Sequence, residues 1–203
     1  MVGLLLLRAG ACFGASTTGR IVVLGDSITA GFGLDRSQAY PALLQHKVRE
    51  NGLSFEVVNA GLSGDTTAGG LRRVQWALGA GASVCVVALG GNDGLRGVPV
   101  EQTESNLEGI IRAVRGNNPE TVVIVAGMQM PLNFGREFRE AFAAIFPRVA
   151  ERCRTLLVPF LLEGVGGVPE MNQDDQIHPN AAGQRRVAEN VWKVLEAGIK
   201  QVR

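Results

Sequence analysis

The chain predicts an α/β fold on a doubly wound parallel sheet, and three observations carry that prediction. Short apolar runs recur along it, amphipathic helical stretches separate them, and no linker, repeat or low-complexity segment interrupts the alternation after residue 20. Continuous apolar runs of this length mark strands buried on both faces, as in a parallel sheet. Strict alternation with helices calls for right-handed crossovers.

Strands are predicted over 21–25, 55–59, 83–89, 122–126 and 156–159. The first reads Ile21-Val22-Val23-Leu24 into Gly25, and the third contains Val84-Cys85-Val86-Val87. Helices are predicted over 40–50, 66–78, 102–115, 136–152 and about 180–199. In the first helix Leu43, Leu44 and Val48 form the apolar stripe, which leaves His46 on the solvated side. The second begins where Asp65 or Thr66 can cap it. In the last, Asn180 is the candidate cap and Val187, Val191, Leu195 and Ile199 form one stripe, widened by Ala188 and Trp192.

A chain of 203 residues fits one domain of ordinary size, read here over 20–203. Residues 1–19 differ: Met1-Val2-Gly3-Leu4-Leu5-Leu6-Leu7 is apolar, Arg8 follows, and small residues lead on to Ser16. This is similar to the end of an export signal, although no basic region precedes the leucines and Arg8 interrupts the apolar run. A truncated or mis-started signal peptide is the favoured reading over a disordered extension, and the run is too short to span a bilayer. A working leader implies a periplasmic or secreted protein, and a non-functional one a cytoplasmic protein.

With 20 basic and 19 acidic residues, the formal charge of +1 gives no reason to expect nucleic acid or an anionic membrane surface as partner. Cys85 reads as a buried small hydrophobe, Cys153 lies at a helix end and Cys12 in the leader, so neither a disulfide framework nor zinc-type spacing is present. Two histidines exclude a histidine-rich metal site.

Parallel strands end at one edge, and ligands bind there, near the point where strand order reverses. Ser27 follows strand one, Gly64 strand two, Asn92 strand three, and the stretch from Asp175 to His178 follows strand five. A serine hydroxyl needs a neighbouring base, and the base needs a carboxylate to fix its tautomer. His178 is the candidate base. Asp175, three residues earlier, can reach Nδ1 within one turn and leave Nε2 for Ser27; Asp174 is the alternative. Acyl transfer also needs donors aimed at the developing oxyanion, for which the N–H groups of Ser27 and Gly64 and the Asn92 amide are candidates. Each string has a plainer reading as a turn or helix cap. Their conjunction at one edge favours the catalytic reading.

Gly25-Asp26-Ser27-Ile28-Thr29-Ala30-Gly31-Phe32-Gly33-Leu34 resembles the first block of the SGNH, or GDSL, hydrolases. Asn59-Ala60-Gly61-Leu62-Ser63-Gly64-Asp65-Thr66 resembles the second block, Leu89-Gly90-Gly91-Asn92-Asp93 the third, and Asp174-Asp175-Gln176-Ile177-His178-Pro179-Asn180 the last. The likeness covers most of the chain after Arg20 and is nearest to the bacterial arylesterase and multifunctional thioesterase, protease and lysophospholipase subgroup. It implies a three-layer α/β/α sandwich on a flavodoxin-like five-stranded parallel sheet, a Ser27, Asp175, His178 triad, and an oxyanion hole from Ser27, Gly64 and Asn92. It implies no metal or organic cofactor, and export from the cytoplasm. Gln176 departs from the pattern, since relatives often carry glycine there.

The expected activity is hydrolysis of short-to-medium acyl esters, with acyl-CoA thioesters or lysophospholipids as alternatives. The stretch 127–135 follows strand four at the same edge, and Met130, Leu132 and Phe134 are candidate acyl contacts; packing of the rim is the competing reading. Two other classes stay open. Flavin or nucleotide binding on the same sheet lacks a phosphate loop, and a catalytically inactive ligand-binding domain would fail to hydrolyse p-nitrophenyl acetate.

Overall fold

Ile21, Val22, Val23 and Leu24 have no solvent exposure, as a strand covered on both faces requires. The computed structural model describes residues 19–202, so the leader, apart from Gly19, and Cys12 with it lie outside the described residues. Gly19, grouped above with the leader, opens the first strand and pairs with Phe55.

The strands are β1 (Gly19–Gly25), β2 (Phe55–Gly61), β3 (Val84–Ala88), β4 (Val122–Ala126) and β5 (Leu156–Val158). All pairings are parallel, in the order β2-β1-β3-β4-β5. Every side chain of β3 is buried, whereas β2 and β5 at the edges are only partly covered. The order reverses between β1 and β3, which opens a crevice beyond their carboxyl ends.

The helices are α1 (Ser27–Ala30), α2 (Tyr40–Glu50), α3 (Thr67–Leu78), α4 (Gly91–Leu95), α5 (Val100–Asn117), α6 (Arg136–Ala143), α7 (Ile145–Arg152) and α8 (Ala181–Ile199). Helices α2 and α8 pack together on one face of the sheet, and α3, α5 and α7 cover the other. This is a three-layer α/β/α sandwich. Val187, Val191, Leu195 and Ile199 of α8 are buried as their spacing predicts. His46 is exposed on α2, and the thiol of Cys85, fully buried, is pushed up to about 12 by desolvation.

The single helix expected over 136–152 is two helices that meet at Ala144. Pro147 explains the break: it has no N–H to give the carbonyl of Ala143, and its ring crowds that carbonyl. The break turns Phe142, Ile145, Phe146 and Val149 into the core together.

Candidate active site

At the end of β1, the Asp26 carboxylate caps α1 by accepting the Ile28 N–H at 3.0 Å. Ser27 is therefore the first residue of a helix whose opening N–H groups are free of helical partners. The segment before α8 closes on it. Asn180 caps α8 by accepting the N–H groups of Ala182 and Gly183, and this holds the preceding His178 turn against the sheet edge.

In that turn the Asp175 Oδ1 accepts the backbone N–H groups of Ile177 and His178, each at 2.9 Å. The Asp175 Oδ2 lies 2.6 Å from His178 Nδ1, and His178 Nε2 lies 2.9 Å from Ser27 Oγ. Those donors, first the His178 N–H, then its ring and the Ile177 N–H, hold the Asp175 carboxyl down at about 2. It stays ionised across the working range. Asp174, the alternative carboxylate, makes no hydrogen bond to the histidine and is exposed.

Gln176 forms the bend of this turn with φ of 58°, in the left-handed region that favours glycine. Its N–H donates to the Gln173 carbonyl at 2.9 Å. The departure noted in the sequence thus falls at the one position of the turn where a side chain is strained.

Gly64 lies in the loop after β2 and Asn92 in the first turn of α4 after β3, so both face the same edge. Gly64 has φ of 77°, and its carbonyl accepts from Arg96 Nη2 at 2.9 Å. Among the described residues, neither the Ser27 N–H nor the Gly64 N–H donates to another protein group. The Asn92 side-chain amide gives one hydrogen to the Asp65 carbonyl at 2.9 Å and keeps the other. That bond fixes the amide beside the Gly64 loop. The arrangement suits a negatively charged oxygen near Ser27.

The third group of residues is distributed differently. Met130 is largely buried, its thioether packed against Gly94 of α4, and it also lines a pocket with Gln129, Arg139, Glu140 and Ala143. Phe134 stacks on Phe138, with ring centroids 6.2 Å apart, and Leu132 is 80% exposed. None of the three contacts the triad through a hydrogen bond or ring stacking.

Several supporting residues escaped the sequence reading. Arg73 pairs with the buried Asp65 at 2.7 Å and donates to the carbonyls of Ala60 and Gly25, which joins the ends of β2 and β1 directly beneath Ser27. Buried Asp93 accepts the Thr67 N–H and hydroxyl, tying α4 to the start of α3. Gln184, 1% exposed, donates to the Ile28 carbonyl and accepts the Tyr40 N–H, so the helix after His178 grips the helix that carries Ser27. Gln184 was within reach of pattern reasoning, since it lies on the buried stripe with Val187, Val191 and Leu195. Phe32 was not. It sits in the loop after α1, where no periodicity applies, yet its ring lies 4.6 Å from the His178 ring.

A serine bonded to a histidine that a carboxylate backs, at the switch point of a parallel sheet, is the arrangement of a serine hydrolase. The chain belongs to the GDSL-like Lipase/Acylhydrolase family, whose sequence profile matches residues 23–186. It is similar to Esterase TesA of Pseudomonas aeruginosa, with 46% identity over 177 residues and 87% of each chain covered. It is also similar to Thioesterase 1/protease 1/lysophospholipase L1 of Escherichia coli K12, with 40% identity over 193 residues, covering 91% of this chain and 86% of that one. The crystal structure of TesA matches with a TM-score of 0.84 and 45% identity, over 88% of this chain and 99% of the other.

Proposed function

We propose that the chain is a carboxylic ester hydrolase in which Ser27 is the nucleophile, His178 the general base and Asp175 its orienting carboxylate. The observation that carries this reading is the unbroken relay from Asp175 Oδ2 through His178 to Ser27 Oγ. His178 Nε2 takes the hydroxyl proton as Ser27 Oγ bonds to the acyl carbon. The Ser27 and Gly64 N–H groups and the Asn92 amide hold the resulting oxyanion. Its collapse expels an alcohol or thiol that leaves with the proton from His178. Water then releases the acid by the same steps in reverse order of groups.

Short-to-medium acyl esters are the proposed substrates, with exposed Leu132 and half-buried Phe134 along the acyl group. Thioesters and lysophospholipids form the second reading, favoured by the printed activities of the Escherichia coli relative. Export of the mature protein belongs to the same proposal and rests on the apolar start of the leader. Hydrolysis of p-nitrophenyl esters tests the activity: Ser27→Ala and His178→Ala should each abolish it. In a Leu132→Ala/Phe134→Ala variant, kcat/KM should fall more for octanoyl than for acetyl esters, since each buried methylene contributes at most about 0.8 kcal/mol. An equal fall on both esters would remove these residues from the acyl site.

A further inference from the structure

The exposed large apolar side chains among the described residues are Phe32, Leu62, Leu95, Leu132, Ile177 and Trp76. Trp76 lies on α3, away from the strand ends. The other five belong one each to the segments that follow β1, β2, β3, β4 and β5. All strands are parallel, so the five segments leave the sheet at the edge that carries Ser27, and we call this set the collar. Phe32 touches the His178 ring, and Ile177 is the residue before that histidine. The Leu62 N–H donates to the Gly25 carbonyl at 3.0 Å, and Leu95 precedes the arginine that holds Gly64. An exposed apolar set gathered at one edge marks a contact surface, whereas scattered ones need no explanation.

We propose that this collar seats the active-site edge on the surface of a neutral or zwitterionic lipid aggregate, so that an acyl ester passes from the lipid to Ser27 without crossing bulk water. The proposal rests on the ester hydrolase reading above, and two observations select the occupant. Phe32 and Ile177 adjoin His178, so whatever covers them must offer an acyl carbonyl at Ser27. A lipid surface does so. The charges around it then select the headgroup. Asp35 and Arg36 offset each other after β1, Arg96 stands after β3, Arg136 and Arg139 are matched by Glu137 and Glu140 after β4, and the long segment after β5 exposes Glu163, Glu170, Asp174 and Asp175. This excess of acid repels an anionic surface and leaves apolar contact as the attraction.

The test is co-sedimentation of the full chain, as the Ser27→Ala variant, with phosphatidylcholine vesicles, alongside vesicles enriched in phosphatidylglycerol. Binding to phosphatidylcholine should be insensitive to salt and weaker when phosphatidylglycerol is added. Leu62→Gln and Leu95→Gln alter exposed side chains with no hydrogen-bonding role. With about half of each leucine available for burial, each change should weaken binding about fivefold, or about 25-fold together. In the Ser27 background the double variant should still hydrolyse p-nitrophenyl acetate at the normal rate, which separates the surface from the chemistry. Loss of that hydrolysis in the unaltered protein would sink the ester hydrolase reading instead. Protein that stays in the supernatant, or a double variant that binds as tightly, overturns the proposal. So does a concentration-dependent dimer that the double variant abolishes, because the collar would then face a second copy.

Discussion

Asp26→Asn should stabilise the protein at pH 8 and leave its stability nearly unchanged at pH 4. Burial is the largest influence on the Asp26 carboxyl and pushes it up to about 6, against the Ile28 N–H and the nearby His178, which lower it. Below about pH 4 the group carries its proton in both the folded and unfolded chain and contributes nothing to the difference. Between about pH 4 and 6 the unfolded chain releases a proton that the folded one keeps, so stability falls as pH rises. Above about pH 6 the full cost is present. The gap between 3.8 and about 6 corresponds to about 3 kcal/mol. Asparagine keeps an oxygen for the Ile28 N–H and carries no charge, so most of that cost should disappear. For a domain of this size the gain amounts to about 6–12 °C in Tm. Thermal unfolding followed by circular dichroism from pH 4 to 8 measures it. A variant that is less stable than the parent by the same amount at both ends would refute the reasoning, because the cap and the charge on Asp26 would then outweigh its burial.

Three further variants probe the His178 turn and the oxyanion donors. Gln176→Gly should keep kcat and hold or raise Tm, since relief of the left-handed strain, about 1 kcal/mol, roughly offsets the extra freedom of the unfolded chain. Gln176→Val should lower both Tm and kcat, and an unchanged valine variant would show that the bend does not constrain His178. Asn92→Ala should lower kcat by about 10²–10³ with little change in KM, because the amide acts on charge that develops in the transition state. Steady-state kinetics in which KM rises instead would make Asn92 a binding residue.

Much of this architecture was legible from apolar runs alone, because strands covered on both faces must be apolar throughout. Strand β4 and helix α2 have the bounds their patterns predict. The convergence of Ser27, Gly64, Asn92 and His178 followed from strand order, since parallel strands share an edge. What stayed hidden was set by side chains acting across the fold. Arg73 reaches from α3 to two strand ends, and nothing near it in sequence announces those carbonyls. The stretch after Gly90 looked like a turn because glycine and asparagine favour turns. Yet Gly90 takes φ of 120° and lets a short helix, α4, begin at Gly91 with Asp93 anchored to Thr67. Met130 followed a strand at the right edge and still turned inward, because the absent side chain of Gly94 leaves room for its thioether. The break at Ala144 was readable from Pro147, but the apolar pattern on either side concealed it.

Among the described residues, Ser27 is the one hydroxyl that meets a histidine backed by a carboxylate, so it should be the activated serine. A fluorophosphonate probe reacts with an activated serine and spares ordinary ones. Peptide mass spectrometry of the labelled protein should place one adduct on Ser27, and neither Ser27→Ala nor His178→Ala should take up the probe. An adduct on another residue such as Ser63, or undiminished labelling of the His178 variant, would contradict the account.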